Sequence, residues 1–115
     1  MSRLWSGTGV GILMLMCLAN FLQMDTTNEH PYIYPDYVCK DFARDFKNNA
    51  SAFGLDINYV HVWNNTFHHL LVAYHITPEK RAKYGLVDKE YIFIEPQIDW
   101  VFMDIPYEGV RVNII

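Results

Sequence analysis

Cys39, His69 and Glu95 follow one another in the order of a thiol nucleophile, an imidazole base and a carboxylate that orients the base. A thiol attacks as the thiolate, and a free cysteine with a pKa of about 8.5 is mostly protonated at neutral pH. The orphan N–H groups and dipole of a helix N-terminus favour the charged form, and a nearby imidazolium favours it further. Position 39 can supply the first effect if it opens a helix. His69 can supply the second from a strand packed against that helix, and a carboxylate ending the next strand accepts from the ring and fixes its tautomer. Two rivals stand beside these residues, His68 next to the base and Asp99 close behind the acid. Cys39 also has a plainer role open to it, that of a buried small hydrophobe.

The elements that must position these side chains show in the patterning. Asp36 is a plausible N-cap for a helix running to about Ala52. Val38, Cys39, Phe42, Ala43, Phe46, Ala50 and Phe53 share one face of it, while Lys40, Asp41, Arg44, Asp45, Lys47 and Asn48 share the other, and Gly54 ends it. Ile57 to Trp63 and Phe67 to Ile76 predict an antiparallel hairpin around Asn64-Asn65-Thr66. Along its second strand His69, Leu71 and Ala73 alternate with His68, Leu70, Val72 and Tyr74, and the small Ala73 suits the first set to a close helix. Pro78 to Lys83 predicts a short helical turn. Tyr91 to Glu95 predicts a third strand stopped by Pro96, and the tail adds a strand or two.

The N-terminal stretch reads differently. Leu4 to Met24 carries no charged residue, and some 20 apolar residues at about 1.5 Å each can cross a hydrocarbon core of about 30 Å. Arg3 before it and Asp25 and Glu29 after it predict a cytoplasmic N-terminus and an exported remainder. The expectation is a single-pass cell-membrane protein with an extracytoplasmic domain, or a secreted one if the segment is cleaved. Residues 1–25 then form the anchor or signal segment, 26–35 a linker and 36–115 the domain, leaving about ninety residues to fold. Asn49-Ala50-Ser51 and Asn64-Asn65-Thr66 are glycosylation sequons that suit export. Of the two cysteines, Cys17 lies in the apolar segment, so Cys39 is a lone thiol in the exported part.

Charge excludes one class of partner. With a net charge of −4 and Lys80, Arg81 and Lys83 as its only dense basic cluster, the chain has no stripe to neutralise phosphates, and no nucleic-acid partner is predicted. The sequence calls for no cofactor and no metal. A Cys-His-His zinc site is the alternative, requiring a three-residue hairpin turn that sets His61 opposite His69; a two-residue turn is read as setting it opposite His68.

Three blocks carry a family resemblance. Tyr37-Val38-Cys39-Lys40-Asp41-Phe42-Ala43, His69-Leu70-Leu71-Val72-Ala73-Tyr74 and Tyr91-Ile92-Phe93-Ile94-Glu95-Pro96-Gln97 together resemble the core blocks of transglutaminase-like proteins of the papain-like cysteine superfamily, closest to small exported microbial members. The resemblance spans roughly residues 37 to 99. It implies an α+β domain of one core helix packed on a small antiparallel sheet, which here follows the N-terminal membrane helix expected from the apolar stretch. It also implies catalytic roles for Cys39, His69 and Glu95, acting on peptide or glutamine amides of a protein or peptide substrate by acyl transfer. The family usually has aspartate in the third position, which keeps Asp99 open beside Glu95, and no glutamine upstream of Cys39 matches the oxyanion donor of papain. Hydrolysis and transamidation are both open. The alternative is an inactive transglutaminase-like binding or scaffold domain.

Overall fold

The β-branched and aromatic run at 57–63 and its partner at 68–75 form the centre of the molecule. Asn64 donates its N–H to the Phe67 carbonyl (2.8 Å), and its side-chain oxygen accepts from the Thr66 N–H (2.9 Å) and hydroxyl (3.2 Å). Such an Asx turn closes the hairpin over Asn65-Thr66. The computed structural model describes residues 9–84 and 89–115. Its elements are α1 (Gly9–Met24), a 3-10 turn (Thr27–Glu29), α2 (Cys39–Ala52), β1 (Ile57–Trp63), β2 (His68–His75), α3 (Pro78–Tyr84), β3 (Tyr91–Glu95), β4 (Trp100–Phe102) and β5 (Arg111–Ile114). All strand pairs are antiparallel, in the order β4-β3-β2-β1-β5.

The sheet is buried on both faces. Ile57, Val72, Tyr74, Ile92 and Ile94 cluster with Ala43, Phe46 and Ala50 of α2. Val60, Val62, Leu71, Ala73 and Phe93 form a second cluster, covered by Phe67, Phe102, Ile105, Tyr107 and Val110. The chain from β4 to β5 joins the two outer strands and carries Ile105, Tyr107 and Val110 across this second face. The helix therefore packs on the Val72/Tyr74 side, not on the Ala73 side that strand alternation favours. Both sides of β2 are apolar, so alternation separates the faces without saying which layer covers each.

The N-terminal segment is the main departure from expectation. Among the described residues no helix is long and apolar enough to cross a membrane. The 16 residues of α1 extend about 24 Å, short of a hydrocarbon core of about 30 Å; Leu4 to Thr8 of the expected span lie outside the described residues. Leu18, Phe21 and Leu22 are instead buried in the α2 cluster, with the Phe21 ring edge-on to Phe46 at 5.2 Å. Asp25 then fastens the helix end. Its carboxylate accepts from the Thr27 N–H (3.2 Å), the Thr27 hydroxyl (3.1 Å) and the Asn49 amide (2.8 Å) of α2. The expected α+β arrangement, an N-terminal membrane helix plus one core helix on a small sheet, is thus corrected: the apolar stretch supplies a core element of a five-stranded domain. The single-pass, extracytoplasmic assignment and the membrane as partner rested on that span and fall with it.

Helix α2 begins later than Asp36. Ile33 and Tyr37 form a β-bridge, exchanging N–H groups and carbonyls at 2.8 and 2.6 Å, so the backbone of residue 37 is committed before the helix starts. The cap comes from inside: the Asp41 carboxylate accepts from the Val38 N–H (2.9 Å), half of a capping box, since Val38 has no side-chain oxygen to return the bond. The Tyr37 hydroxyl bonds Asp45 (2.5 Å), tying the lead-in to the flank of α2. At the other end Gly54 adopts φ +93°, its N–H bonds Ser51 (3.0 Å) and the Leu55 N–H bonds Ala50 (2.9 Å). That is a Schellman stop, which needs the left-handed glycine. Cys39 is consequently the first helical residue.

Candidate nucleophilic site

Cys39 and His69 approach each other from opposite faces of the sheet. What lets them meet is the unequal length of β2 and β3. Along β2 the backbone bonds alternate sides, His75 giving its N–H to Asp56 before β1 (3.0 Å) and Ile76 to Glu90 before β3 (2.7 Å). By that alternation Leu70 directs its N–H to the β3 side. The β2–β3 ladder runs only from Val72 paired with Ile94 to His75 paired with Tyr91, so Leu70 lies beyond its end. The N-terminus of α2 fills this open corner, where the His69 side chain and the Leu70 N–H are the hydrogen-bonding groups that bear on the Cys39 thiol.

His69 is the hub. Its Nε2 bonds Oε1 of Glu95, which leaves Nδ1 as the ring nitrogen available to the thiol. Side-chain exposure is 14% for His69 and 10% for Glu95, so the pair is largely out of water. Glu95, at the end of β3, is held at both oxygens, Oε2 by the Gln97 N–H and Oε1 by the Tyr107 hydroxyl, each at a long 3.4 Å.

The electrostatics follow from these contacts. The hydrogen bond from His69 lowers the Cys39 thiol below its ordinary range; burial opposes this, and the Leu70 N–H, the imidazole charge and the Lys40 N–H add to the lowering. Burial pushes the His69 ring down, but its bonds to Cys39 and Glu95 and their negative charge outweigh it and raise the ring to about 9. Burial and the Glu95 charge raise the Tyr107 phenol to about 12. The two shifts are opposed, the thiol lowered and the imidazole raised, and the two groups titrate as a coupled unit.

The rivals are elsewhere. His68 is exposed on the other face of β2, its Nδ1 3.5 Å from Nε2 of His61, which stacks on Trp63 at 4.7 Å. Asp99 is buried in the β3–β4 turn at φ +54°, and Glu95 is the carboxylate on His69. The zinc alternative fails on register: His61 lies opposite Leu70, and Val62 opposite His69. The two-residue turn thus sets His61 opposite neither histidine. Among the described residues no group of three His, Cys, Asp or Glu side chains is arranged to hold a metal.

Tyr107 is the site residue that sequence reasoning missed. Its ring stands edge-on to His69 (5.8 Å between centroids) and packs on Phe67 (5.3 Å). Ile105-Pro106-Tyr107 has neither strand nor helix periodicity, and only the crossing of the tail over the second face brings it to His69. On its outer side Tyr107, with Phe67, Asn64, Pro106, Glu108 and Val110, lines an open cavity of about 520 Å³.

No family model matches the chain, and no curated protein matches it. Two solved structures share its fold. PSL1a in complex with E64 superposes with a TM-score of 0.58 at 17% identity, over 75% of this chain and 32% of that one. The Polyporus squamosus lectin bound to the human-type influenza-binding epitope Neu5Aca2-6Galb1-4GlcNAc superposes with a TM-score of 0.56 at 17% identity, over 73% of this chain and 31% of the lectin. The chain spans about a third of the length of these structures, and at this identity the likeness is one of fold. It corrects the transglutaminase-like assignment, because the fold is shared with about a third of the PSL1a chain and of the Polyporus squamosus lectin. The membrane-anchored acyl-transfer enzyme acting on peptide or glutamine amides, and its inactive transglutaminase-like alternative, were drawn from that assignment and go with it; a protein substrate finds no support in these neighbours.

Proposed function

We propose that this domain binds a ligand at the corner between α2 and β2 and bonds it through Cys39. Cys39 is the nucleophile, His69 holds the proton that the thiol gives up, and Glu95 orients and charges His69. The observation that carries this reading is the His69–Glu95 bond set beside Cys39 at a helix N-terminus, with the His69 side chain and the Leu70 N–H bearing on the thiol. In the step it supports, the thiolate lone pair forms a bond to an electrophilic carbon. The displaced electron pair moves to the adjoining heteroatom, which takes the proton of the His69 imidazolium, so charge and protons balance.

E64, described in complex with the PSL1a chain of this fold, is the first ligand to try, on the full chain carrying Cys17→Ser so that Cys39 is the sole thiol. Intact mass should show one E64 added per chain, lost in Cys39→Ser and slowed in His69→Gln. An adduct that persists in Cys39→Ser, or no faster labelling of Cys39 by iodoacetamide than of a free thiol at pH 6, contradicts the reading.

The epitope bound by the lectin supports a second reading, glycan binding by this domain. Calorimetric titration with Neu5Aca2-6Galb1-4GlcNAc tests it: saturable heat favours it, and no heat at millimolar sugar removes it.

A further inference from the structure

We propose that Tyr107 is a positioning residue, a roof that keeps water off the His69–Glu95 contact and so sustains the charge on His69 that Cys39 depends on. The proposal rests on the thiolate reading of Cys39 and extends it to the segment between β4 and β5. Three observations carry it. The Tyr107 ring meets His69 edge-on at 5.8 Å and is braced by Phe67 at 5.3 Å. Its hydroxyl reaches the same Glu95 oxygen that His69 uses. Tyr107 and Phe67 both line the open cavity and both pack on His69, and Tyr107 is the one of the two that also reaches Glu95.

The physical argument is dielectric. A charge pair near water is attenuated several-fold relative to one held away from it, and exposed pairs are further screened by salt. Because the Tyr107–Glu95 bond is long, at 3.4 Å, near the outer limit of hydrogen-bond geometry, the ring matters more than the hydroxyl. Removing the oxygen alone is then mild, while removing the ring opens the pair to solvent. Phe67 packs on His69 (6.1 Å) as well as on Tyr107 but makes no ring or hydrogen-bond contact with Glu95, so it covers the imidazole half of the pair and not the carboxylate half.

The test uses the full chain with Cys17→Ser, following the Cys39 thiolate by its ultraviolet band across pH and by iodoacetamide at pH 6, at low and at molar salt. An ordinary thiol titration in this parent would defeat the thiolate reading itself, independently of Tyr107. With the parent titrating low, Tyr107→Phe should match it within about twofold. Tyr107→Ala should raise the thiolate titration by about one unit and label about threefold more slowly, the lost thiolate being partly offset by its greater nucleophilicity, and should become salt-sensitive. A folded Tyr107→Ala with the parent's titration and salt response overturns the proposal. Should that variant not fold, the parent decides by NMR. The His69 Nε2 proton must exchange with water far more slowly than the ring protons of the exposed His30, and equal exchange overturns the roof.

Discussion

Replacing His69 by glutamine isolates what the imidazole does for Cys39. Glutamine keeps an N–H donor for Glu95 but carries no charge, whereas alanine would strand a buried carboxylate, a loss of about 3–5 kcal/mol that would confound the result. At pH 6 an ordinary thiol of pKa about 8.5 is only about 0.3% thiolate, so full pairing with His69 raises that population by up to about 300-fold. A stabilised thiolate is a poorer nucleophile, with a Brønsted slope of about 0.4–0.5, which reduces the gain in rate to about 20-fold. The assay is pseudo-first-order alkylation by iodoacetamide in the Cys17→Ser background, read by intact mass across pH. His69→Gln should slow labelling by about 20-fold at pH 6 and converge with the parent to within a few-fold above the ordinary thiol pKa. Equal rates at pH 6 in a folded variant would refute the reasoning, because the lowering of Cys39 is ascribed first to His69.

Three further outcomes follow from the same geometry. In the folded state His69 titrates at about 9 rather than 6.5; a group raised on folding contributes stability that is whole below the lower value and lost as pH rises through the higher, so Glu95→Gln should destabilise more in urea melts at pH 6 than at pH 9.5. Phe21→Ala should cost about 3–5 kcal/mol by chemical denaturation, as for a buried core phenylalanine; a change under 0.5 kcal/mol would show that α1 is not part of the core. Gly54→Ala should cost about 1–2 kcal/mol from the left-handed backbone alone, since a Cβ there meets nothing within 4 Å.

Much of the local structure is written in local chemistry. The stop of α2 lies in Gly54, and the hairpin closes where Asn64 and Thr66 supply an Asx turn. Of the three residues singled out by order and type, His69 and Glu95 bond each other, and the His69 side chain bears on Cys39. What was not legible is what depends on distant partners. An uncharged apolar run has the same composition whether lipid or Phe46 receives it, and Phe21 packs on Phe46. The start of α2 was misplaced because the bridge between Ile33 and Tyr37 claims the backbone that Asp36 would otherwise cap. Which face of β2 the helix covers is decided by the tail, whose Phe102, Ile105 and Val110 take the other. The family resemblance failed for a related reason: three short blocks describe a local constellation, which different folds can share. Tyr107 came with the tail, and no periodicity announced it.

The most direct test of the central claim is the pH titration of the Cys39 thiolate absorbance in the Cys17→Ser chain, with His69→Gln measured beside it. The thiolate band should persist well below the ordinary thiol range in the first protein and retreat toward about 8.5 in the second. A parent titration already centred at about 8.5 would contradict the account, for Cys39 would then be an unassisted thiol at the end of a helix.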